Sequence, residues 1–472
     1  VGRTEETRVT AREAGWGGAY QRAVNATPLG RLKTPEGEDE WVLMSDALEY
    51  NPLTDYIWDC YRFRRNNWNA ILNAYGDIKI LPSLTYRITL GSTLRFNKNQ
   101  EFAGYESLAR HRGAPTAYKT DGNSTYMIYE SILSYNKSFN DAHDLSITGV
   151  HGVQTFSNET SSIDVMDLPY ETALYRNLGS ANTITSVGSG LSEWGLLSYV
   201  GRVNYGYKGR YLLSASVRAD GASQFAPGKK WGYFPSISTA WRIVDEGFMS
   251  NTKNWLSELK LRLSYGVTGN QAIAPYQVQG ALSRSTYAWS NNNAFGYRPI
   301  TLADKELKWE STAVTNLGLD FGVLNGRIIG NIDLYNTNTF DLLLFRKLPI
   351  HTGFDQVLEN VGKTNNKGLE ISLRSINMDK RDFFWTTDFS FMTNKTRIVE
   401  LYAGKEDDPG SGWFIGHPLD VYYDFEKIGI WQLNEADDAL TFGEYPGYIK
   451  IKDQNDDDKH NDADRVILGD PE

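Results

Sequence analysis

The chain has 472 residues and a net charge of −10, from 48 basic and 58 acidic side chains. Because nucleic-acid-binding proteins need a basic surface, this acidic balance argues against a nucleic-acid partner. No run of about 18 apolar residues occurs, which excludes a transmembrane helix. A transmembrane β-barrel stays possible, since its polar lumen and loops dilute the hydropathy signal. The single cysteine, Cys60, cannot form an internal disulfide bond.

Taken in chain order, the sequence opens with a loop-rich segment, residues 1–65, without a lasting period. Apolar and polar residues then alternate with a period of two, which predicts β-strands because successive side chains of a strand point to opposite faces. A loop-rich, acidic segment, residues 398–472, closes the chain. About twelve strands are predicted between these segments, at 66–78, 84–96, 125–138, 143–156, 195–207, 210–220, 232–243, 258–266, 308–322, 327–340, 362–376 and 382–397.

The predicted strands are long for a soluble sheet. Strands of soluble proteins usually have about five or six residues, whereas these have about ten or more, the length that a tilted strand needs to cross a membrane. The segment 211–220 reads YLLSASVRAD and alternates strictly. We expect its lipid-facing side to consist of Leu213, Ala215 and Val217, and its lumen-facing side of Ser214, Ser216 and Arg218.

The connectors alternate in length along the chain. Short turns are predicted near residues 81, 140, 208, 325 and 379, and a short, helical connector at 245–257. Asn325-Gly326 is the strongest hairpin signal, because both positions of such a turn favour a positive φ. Long loops, such as 157–193 and 267–307, separate the short turns. This alternation is typical of an outer-membrane barrel with periplasmic turns and extracellular loops.

Two soluble folds explain the connectors less well than a barrel does. A β-sandwich has no reason to alternate short and long connectors, and a propeller would show a sequence repeat, which is not seen. Aromatic residues make up 13% of the chain, which suits the aromatic girdles of a barrel but also a carbohydrate-binding surface. A soluble two-sheet protein with one wet face per strand stays open at this point.

An acidic loop at 453–464 has the oxygen spacing of a calcium loop. Asp453, Asn455, Asp457 and Asp464 stand at positions 1, 3, 5 and 12, and Ca²⁺ takes six to eight hard oxygen ligands. Two residues depart from the pattern: Asp458 stands where Gly is usual, and Asp464 is shorter than the usual bidentate Glu. The spacing therefore predicts a calcium site, and a solvated acidic loop is the alternative.

Catalytic motifs are absent from the sequence, so the protein is not expected to be an enzyme and no cofactor besides calcium is predicted. No Gly-x-Ser-x-Gly sequence, zinc motif or phosphate loop occurs. Loop tryptophans could stack on a sugar or contact a lid protein, or could simply pack within loops. The candidates are Trp16, Trp289, Trp413 and Trp431, and no substrate-binding residue is assigned.

The sequence resembles the SusC/RagA-type TonB-dependent transporters of Bacteroidetes. The longest match is YVGRVNYGYKGRYLLSASVRADGASQFAPGKKWGYFPSISTAWRIVDEGFM at 199–249. LKLRLSYGVTGNQ at 259–271, NKGLEISL at 366–373 and GYIKIKDQNDDD at 447–458 follow in the order that the family shows. The resemblance covers roughly residues 60–472, and more weakly the first 60 residues.

The resemblance implies an all-β fold, a transmembrane antiparallel β-barrel of about 22 strands, of which this chain supplies about 12 or more. The N-terminal plug domain would be absent from this chain and lie upstream of Val1. The whole of residues 1–472 is then an internal, partial barrel, which we do not expect to fold alone because its sheet has open edges.

The resemblance also implies a function: TonB-dependent import of a bulky nutrient, an oligosaccharide or a peptide, across the outer membrane of a Gram-negative bacterium. The implied partners are a SusD-like surface lipoprotein, TonB acting through the plug, and outer-membrane lipid. A passive porin and a secreted carbohydrate-binding β-protein are the alternatives that the sequence leaves open.

Overall fold

A computed structural model describes residues 2–8, 37, 54–57, 60–110, 112–289, 292–402 and 404–470. Most of the predicted loop-rich start, including Trp16, lies outside these residues. The chain divides into two compact units. Unit 1 comprises residues 1–80, 86–132 and 151–197, and unit 2 comprises residues 81–85, 133–150 and 198–472.

Strands dominate the described residues. In chain order they are β1 (Gly2–Arg8), β2 (Tyr61–Leu81), β3 (Leu84–Ala103), β4 (Thr116–Phe139), β5 (His143–Met166), β6 (Thr183–Tyr207), β7 (Tyr211–Ala222), β8 (Trp231–Arg242), β9 (Leu256–Asn270), β10 (Leu282–Trp289), β11 (Asn292–Pro299), β12 (Glu310–Val323), β13 (Ile328–Phe340), β14 (Leu343–Lys347), β15 (Gln356–Asn360), β16 (Lys363–Lys380), β17 (Phe383–Glu400), β18 (Tyr422–Phe425), β19 (Lys427–Ile430), β20 (Ile449–Ile451) and β21 (Arg465–Gly469).

Helices are short and few in the same ranges. Two are α-helical, α1 (Thr54–Ile57) and α2 (Ala436–Thr441). The 3-10 helices are Glu171–Arg176, Leu178–Ser180, Ile243–Asp245, Gly247–Thr252, Gln277–Gln279, Ile350–Thr352, Leu433–Glu435 and Asp462–Asp464. Among the residues that the structure describes, no helix has the length and apolar character needed to span a membrane.

One large sheet carries the fold. Across the described ranges it has thirteen strands, which neighbour one another in the order β1-β2-β3-β4-β5-β6-β7-β8-β9-β12-β13-β16-β17. From β7 to β17 every pair is antiparallel. Chain order and sheet order agree because each connector joins adjacent strands, and the small ribbons β10-β11 and β14-β15 are inserted between them. The predicted all-β, antiparallel architecture is confirmed.

The short turns form as their sequences predict. In the β12–β13 turn, Asn325 and Gly326 have φ values of 56° and 79°. In the β6–β7 turn, Lys208 and Gly209 have φ values of 50° and 63°. Two successive positive φ angles match the right-handed twist of the flanking strands, which is why Gly and Asn are favoured there. In the longer β12–β13 turn Leu324 also has a positive φ, of 55°. The connector after β8 consists of two short 3-10 helices, within the predicted 245–257 and just before it.

The predicted long loop at 157–193 is wrong in its extent. Strand β5 continues to Met166 and β6 begins at Thr183, so that only residues 167–182 connect them. The added strand residues are rich in Ser, Thr, Asn and Gly on both faces. Where both faces of a strand are polar, the period of two leaves no contrast in the sequence. The alternation therefore marks the amphipathic part of each strand and misses its polar extension.

Other segments predicted as loops also contain strands. Strand β1 pairs with β2 in an antiparallel register, Gly2 opposite Asn69. The loop 267–307 contains the β10-β11 hairpin, whose residues are almost all exposed. The acidic segment contains the β18-β21 and β19-β20 pairs. The β10-β11 hairpin has no buried face, so neither of its faces needs to be apolar.

Buried cores lie at the strand ends of each unit. In unit 1, Phe102, Ala117, Val165, Leu168 and Tyr175 form a buried apolar cluster that joins β3, β4 and β5 to the connector that follows β5. In unit 2, the buried rings of Phe225 and Phe234 contact Trp309, with centroid distances of 5.2 and 5.3 Å. Burial of such rings contributes roughly 1.5–3 kcal/mol each.

Connector lengths predict the orientation of the strands in the membrane. We expect an epitope tag between Ala274 and Pro275, in the connector that follows β9, to bind antibody on intact cells. A tag after Gly209 should bind antibody only after the outer membrane is permeabilised, because short turns are periplasmic. Flow cytometry before and after permeabilisation measures both. Labelling of intact cells at Gly209 but not at Ala274 would contradict this topology.

Candidate functional site

The sheet of unit 2 has an apolar face and a polar face. Leu213 and Val217 are 41% and 51% exposed. On the opposite side of the same strand, Ser214 donates a hydrogen bond to Asn204 at 2.7 Å. Arg218 pairs there with Asp220 at 2.6 Å. The apolar side chains of this strand are thus exposed, whereas the polar ones are held by hydrogen bonds and ion pairs.

Aromatic rings lie at both ends of the apolar face on β8. Near the short-connector end, Trp241 stacks on Tyr211 with ring centroids 6.4 Å apart. At the other end Trp231 stacks on Tyr199 at 6.1 Å, and Tyr233 is 68% exposed. From Tyr233 to Trp241 the strand rises roughly 27 Å, at about 3.4 Å per residue. This span fits an apolar band about 25 Å tall with an aromatic girdle at each interface.

The apolar stretch shifts along the strands from β7 to β17. One cross-strand row on the apolar face consists of Tyr211, Trp241, Leu261, Leu319, Ile332, Ile371 and Phe391. Tyr211 lies at the short-turn end of the apolar stretch on β7, whereas Phe391 lies at its opposite end on β17. A progressive stagger of this kind is what tilted strands in a barrel require.

An ion-pair network occupies the polar face of β9, β12 and β13. The Arg262 guanidinium lies 2.7 Å from Asp320 and 3.0 Å from Asp333, and Lys260 lies 3.2 Å from Asp320. A Cβ atom on Gly318 would be 2.5 Å from the Arg262 Cζ atom, so glycine leaves the space that the guanidinium fills. Paired charges that keep contact with water are cheap on a lumen-facing wall and costly against lipid.

A groove of about 680 Å³ lies against this polar face. Its walls come from six strands, β4 to β9, and present hydroxyl, amide and charged groups. Members of the wall include Asp144, Asn204, Ser214, Ser238 and Arg262. Sequence reasoning assigned no substrate-binding residue, because these groups are brought together only by strand pairing.

Residues of the 199–249 and 259–271 motifs converge at the long-connector end of the polar face. The Phe234 ring packs so closely against Gly269 and Gly232 that a Cβ atom on either residue would overlap the ring. Trp309 packs against Phe234 and donates its indole N–H to the carbonyl of Lys230 at 2.8 Å. The two glycines are therefore required by the close approach of one aromatic ring.

The acidic loop is organised around the carboxylate of Asp453. This carboxylate accepts the backbone N–H groups of Asn455 at 3.2 Å, Asp457 at 3.4 Å and Asp458 at 2.8 Å. Asp458 has a φ of 57°, so it adopts the left-handed conformation that Gly supplies in a calcium loop. The Asn455 amide donates to the Asp457 carboxylate at 3.2 Å.

Asp464 closes the same loop. It is fully buried, and its carboxylate accepts the N–H groups of Gln454 at 2.9 Å and Asn461 at 2.8 Å. The hydrogen bond from Asn461, which has the larger effect, and the one from Gln454 hold the pKa of Asp464 below its ordinary value. Within the described ranges, no three His, Cys, Asp or Glu side chains are grouped so that they could hold a metal ion. Calcium binding by Asp453, Asn455, Asp457 and Asp464 stays a prediction.

The loop tryptophans differ in how far their side chains are exposed. Trp289 is 68% exposed at the tip of the β10-β11 hairpin. Trp431 is buried, donates its indole N–H to Glu444 and carries Lys450 over its ring at 4.1 Å. Trp413 is partly buried. Trp289 is thus free to meet a ligand, whereas Trp431 packs within the acidic segment.

Sequence reasoning missed a buried histidine beside Trp431. His460 lies 2.8 Å from Glu444 and stacks on Phe442 with ring centroids 4.4 Å apart. Glu444 therefore joins His460 to Trp431 in one largely buried cluster within the acidic segment. Trp431 and His460 lie 13 and 16 residues from Glu444 and show no ligand spacing, so that no motif in the sequence marks the cluster.

Comparison with known proteins identifies the family. Residues 6–453 match the family model described as TonB dependent receptor-like, beta-barrel. TonB-dependent receptor P3 of Formosa agariphila is 31% identical over 413 residues, which cover 84% of this chain and 41% of the relative. TonB-dependent receptor SusC of Bacteroides thetaiotaomicron is 38% identical over 221 residues, 45% of this chain and 22% of SusC.

The fold of solved relatives agrees. The structure of the RagAB peptide transporter superposes with a TM-score of 0.77 at 23% identity, covering 89% of this chain and 47% of the matched one. The chain spans less than half the length of these relatives. The match along almost the whole chain shows that it belongs to the TonB-dependent receptor β-barrel family and is an outer-membrane protein of a Gram-negative bacterium.

Proposed function

We propose that the protein serves in TonB-dependent import of a bulky nutrient, an oligosaccharide or a peptide, across the outer membrane. The observation that carries this proposal is the family match over residues 6–453, with SusC among the relatives. A SusD-like lipoprotein is the proposed lid, and TonB acting on a plug is the proposed source of energy. The fold is shared with RagAB, a peptide importer, and the cargo class is proposed no more narrowly than oligosaccharide or peptide.

The polar face supports this function physically. Its groove of about 680 Å³ is of the size that binds small ligands, and its hydroxyl and amide groups suit sugar hydroxyls or peptide groups. In the proposed mechanism, extracellular loops and the lid trap the nutrient, and TonB then opens the lumen. The chain contributes binding and passage, and no residue is given a catalytic role.

Family membership also weighs against the two alternatives. A secreted carbohydrate-binding protein does not need an apolar face with exposed Leu, Val and Phe side chains along seven strands. A passive porin shares such a face, but the family is one of receptors and transporters. Active import is thus favoured over passive diffusion, and energy dependence separates the two experimentally.

Energy-dependent uptake is the test of the proposed function. Cells that express the complete protein should accumulate labelled oligosaccharide or peptide only with TonB and a proton gradient. Ser214→Trp with Ser238→Trp should block the groove and lower uptake at least tenfold. The matched control, Leu213→Trp with Thr239→Trp, places the same rings on the apolar face of the same strands and should leave uptake nearly unchanged. Undiminished uptake after deletion of TonB would favour a porin.

The apolar face is expected to contact lipid. In the complete protein, Leu213→Arg should lower folding stability in bilayers by roughly 1–2 kcal/mol, because Leu213 lies between the girdle residue Tyr211 and the bilayer midplane, where the cost of Arg reaches about 2–4 kcal/mol. The control, Ser214→Arg, points to the polar face and should cost much less. Denaturant titration of both variants in lipid vesicles measures the difference. Equal stability of the two variants would contradict the assignment of the faces.

Calcium binding is expected at the acidic loop, with an affinity on the order of 10⁻⁴–10⁻³ M, as in extracellular calcium modules. Isothermal calorimetry of the complete protein should show calcium heat that Asp453→Ala and Asp457→Ala abolish. The control is Asp438→Ala, which removes an exposed carboxylate from α2. No calcium heat in the parent protein, or unchanged heat in both loop variants, would leave a solvated acidic loop.

A further inference from the structure

Three cations stand on the apolar face of β16 and β17, beyond the end of the apolar stretch. Lys367 lies directly opposite Lys395, and Arg397 lies opposite Asn365 one row further along. All three cationic side chains are exposed. Among the described residues, none of the three has a carboxylate within salt-bridge distance. These three residues are called the basic patch.

The basic patch is unfavourable as it stands. Like charges directly opposite each other on a sheet destabilise the pair. Two other cations of the same strands have carboxylate partners: Lys363 lies 2.5 Å from Glu400, and Arg374 lies 3.2 Å from Asp388. An anion shared by Lys367 and Lys395 would turn their repulsion into attraction, because each cation would then have an opposite charge nearby.

The position of the basic patch fits a lipid headgroup. Leu369 is the last apolar residue of the face on β16, and Lys367 lies about 7 Å further along the strand. On β17 the last apolar residue of the same face before the cations is Phe391, and Lys395 and Arg397 follow it. The patch lies toward the long connectors, the end expected to be extracellular. Long cationic side chains at this depth reach from the apolar band into the headgroup layer.

A groove beside the basic patch has two chemically different ends. It measures about 630 Å³. Leu317, Leu334 and Leu369 line one part of it, and Lys367 and Lys395 line another. An apolar floor with a cationic rim fits an amphiphile whose acyl chain follows the leucines and whose anionic group meets the lysines.

A buried asparagine fixes the polar surface next to the lysines. The Asn365 amide is almost fully buried and donates to Asn336 at 2.7 Å, to Asn338 at 2.8 Å and to the carbonyl of Thr337 at 3.2 Å. This hydrogen-bonded set joins β13 to β16 directly above the leucines. The surface beneath a headgroup is therefore ordered and polar, and it requires no rearrangement for binding.

We propose that the basic patch binds the phosphate group of an outer-leaflet lipid, with its acyl chains along Leu317, Leu334 and Leu369. The proposal rests on the outer-membrane location of the protein and on the geometry of β13, β16 and β17. It does not depend on import, so that loss of lipid binding and loss of uptake are separate results. Neutral side chains occupy the corresponding rows on β13, at Asn336 and Asn338, and on β12, at Thr315 and Ala313, so that the cations of the site come from β16 and β17 alone.

Binding of lipid A to the complete protein tests the proposal. The protein is purified in a neutral detergent, and native mass spectrometry measures binding of phosphorylated lipid A, dephosphorylated lipid A and inorganic phosphate. Each neutralised cation should weaken lipid A binding about fivefold, which corresponds to about 1 kcal/mol per Lys or Arg. The triple variant Lys367→Gln, Lys395→Gln, Arg397→Gln should thus bind roughly 100-fold more weakly. Lys367→Arg with Lys395→Arg should retain binding.

A charge-matched control removes three cations from the short-connector end of unit 2. Lys253→Gln, Lys380→Gln and Arg381→Gln should leave lipid A binding unchanged. Equal binding by the two triple variants would overturn the proposal, as would equal affinity of the parent protein for phosphorylated and dephosphorylated lipid A. Displacement of lipid A by millimolar inorganic phosphate would overturn the headgroup assignment in favour of a free-phosphate site.

Discussion

A backbone that crosses a membrane must satisfy its own hydrogen bonds, because hydrocarbon offers no donor or acceptor. In this protein the antiparallel ladder meets that requirement: from β7 to β17 each strand pairs with its neighbours over most of its length. Pairing fixes the register, and register fixes which side chains share a face. The separation of an apolar from a polar face is therefore a consequence of the ladder.

The stagger of the apolar stretch follows from the same ladder. A row that joins Tyr211 to Phe391 begins at one end of the apolar stretch and finishes at the other. If the strands stood upright, that row would keep a constant depth in the bilayer, and its side chains would keep a constant character. The row begins with the aromatic residues Tyr211 and Trp241, continues with aliphatic residues and ends at Phe391, the last apolar residue of its face before the lysines. Its depth in the bilayer therefore changes from strand to strand, so the strands must be tilted relative to the membrane. The positions of the apolar residues along the paired strands are thus enough to show that the strands are tilted.

Much of the architecture could be predicted from sequence because its signals are local. The period of two located the amphipathic parts of the strands, and Asn325-Gly326 located a hairpin turn. The polar ends of β5 and β6 could not be predicted in this way, since both of their faces are polar. The network of Arg262 with Asp320 and Asp333 was also missed, because its members are 58 and 71 residues apart and meet only through register.

The same strand register produces both faces of the sheet, but the charges are arranged differently on each. On the polar face, charges are balanced within the wall: Arg262 and Lys260 have carboxylate partners, and Gly318 leaves room for the guanidinium. On the other face of β16 and β17 the charges are unbalanced, and they begin where the leucines stop. On the lumen-facing side of the sheet, the protein's own carboxylates supply the counter-charges for its cations. At the membrane boundary the counter-charge can come from the lipid itself, so the protein has less need to supply an acidic partner there.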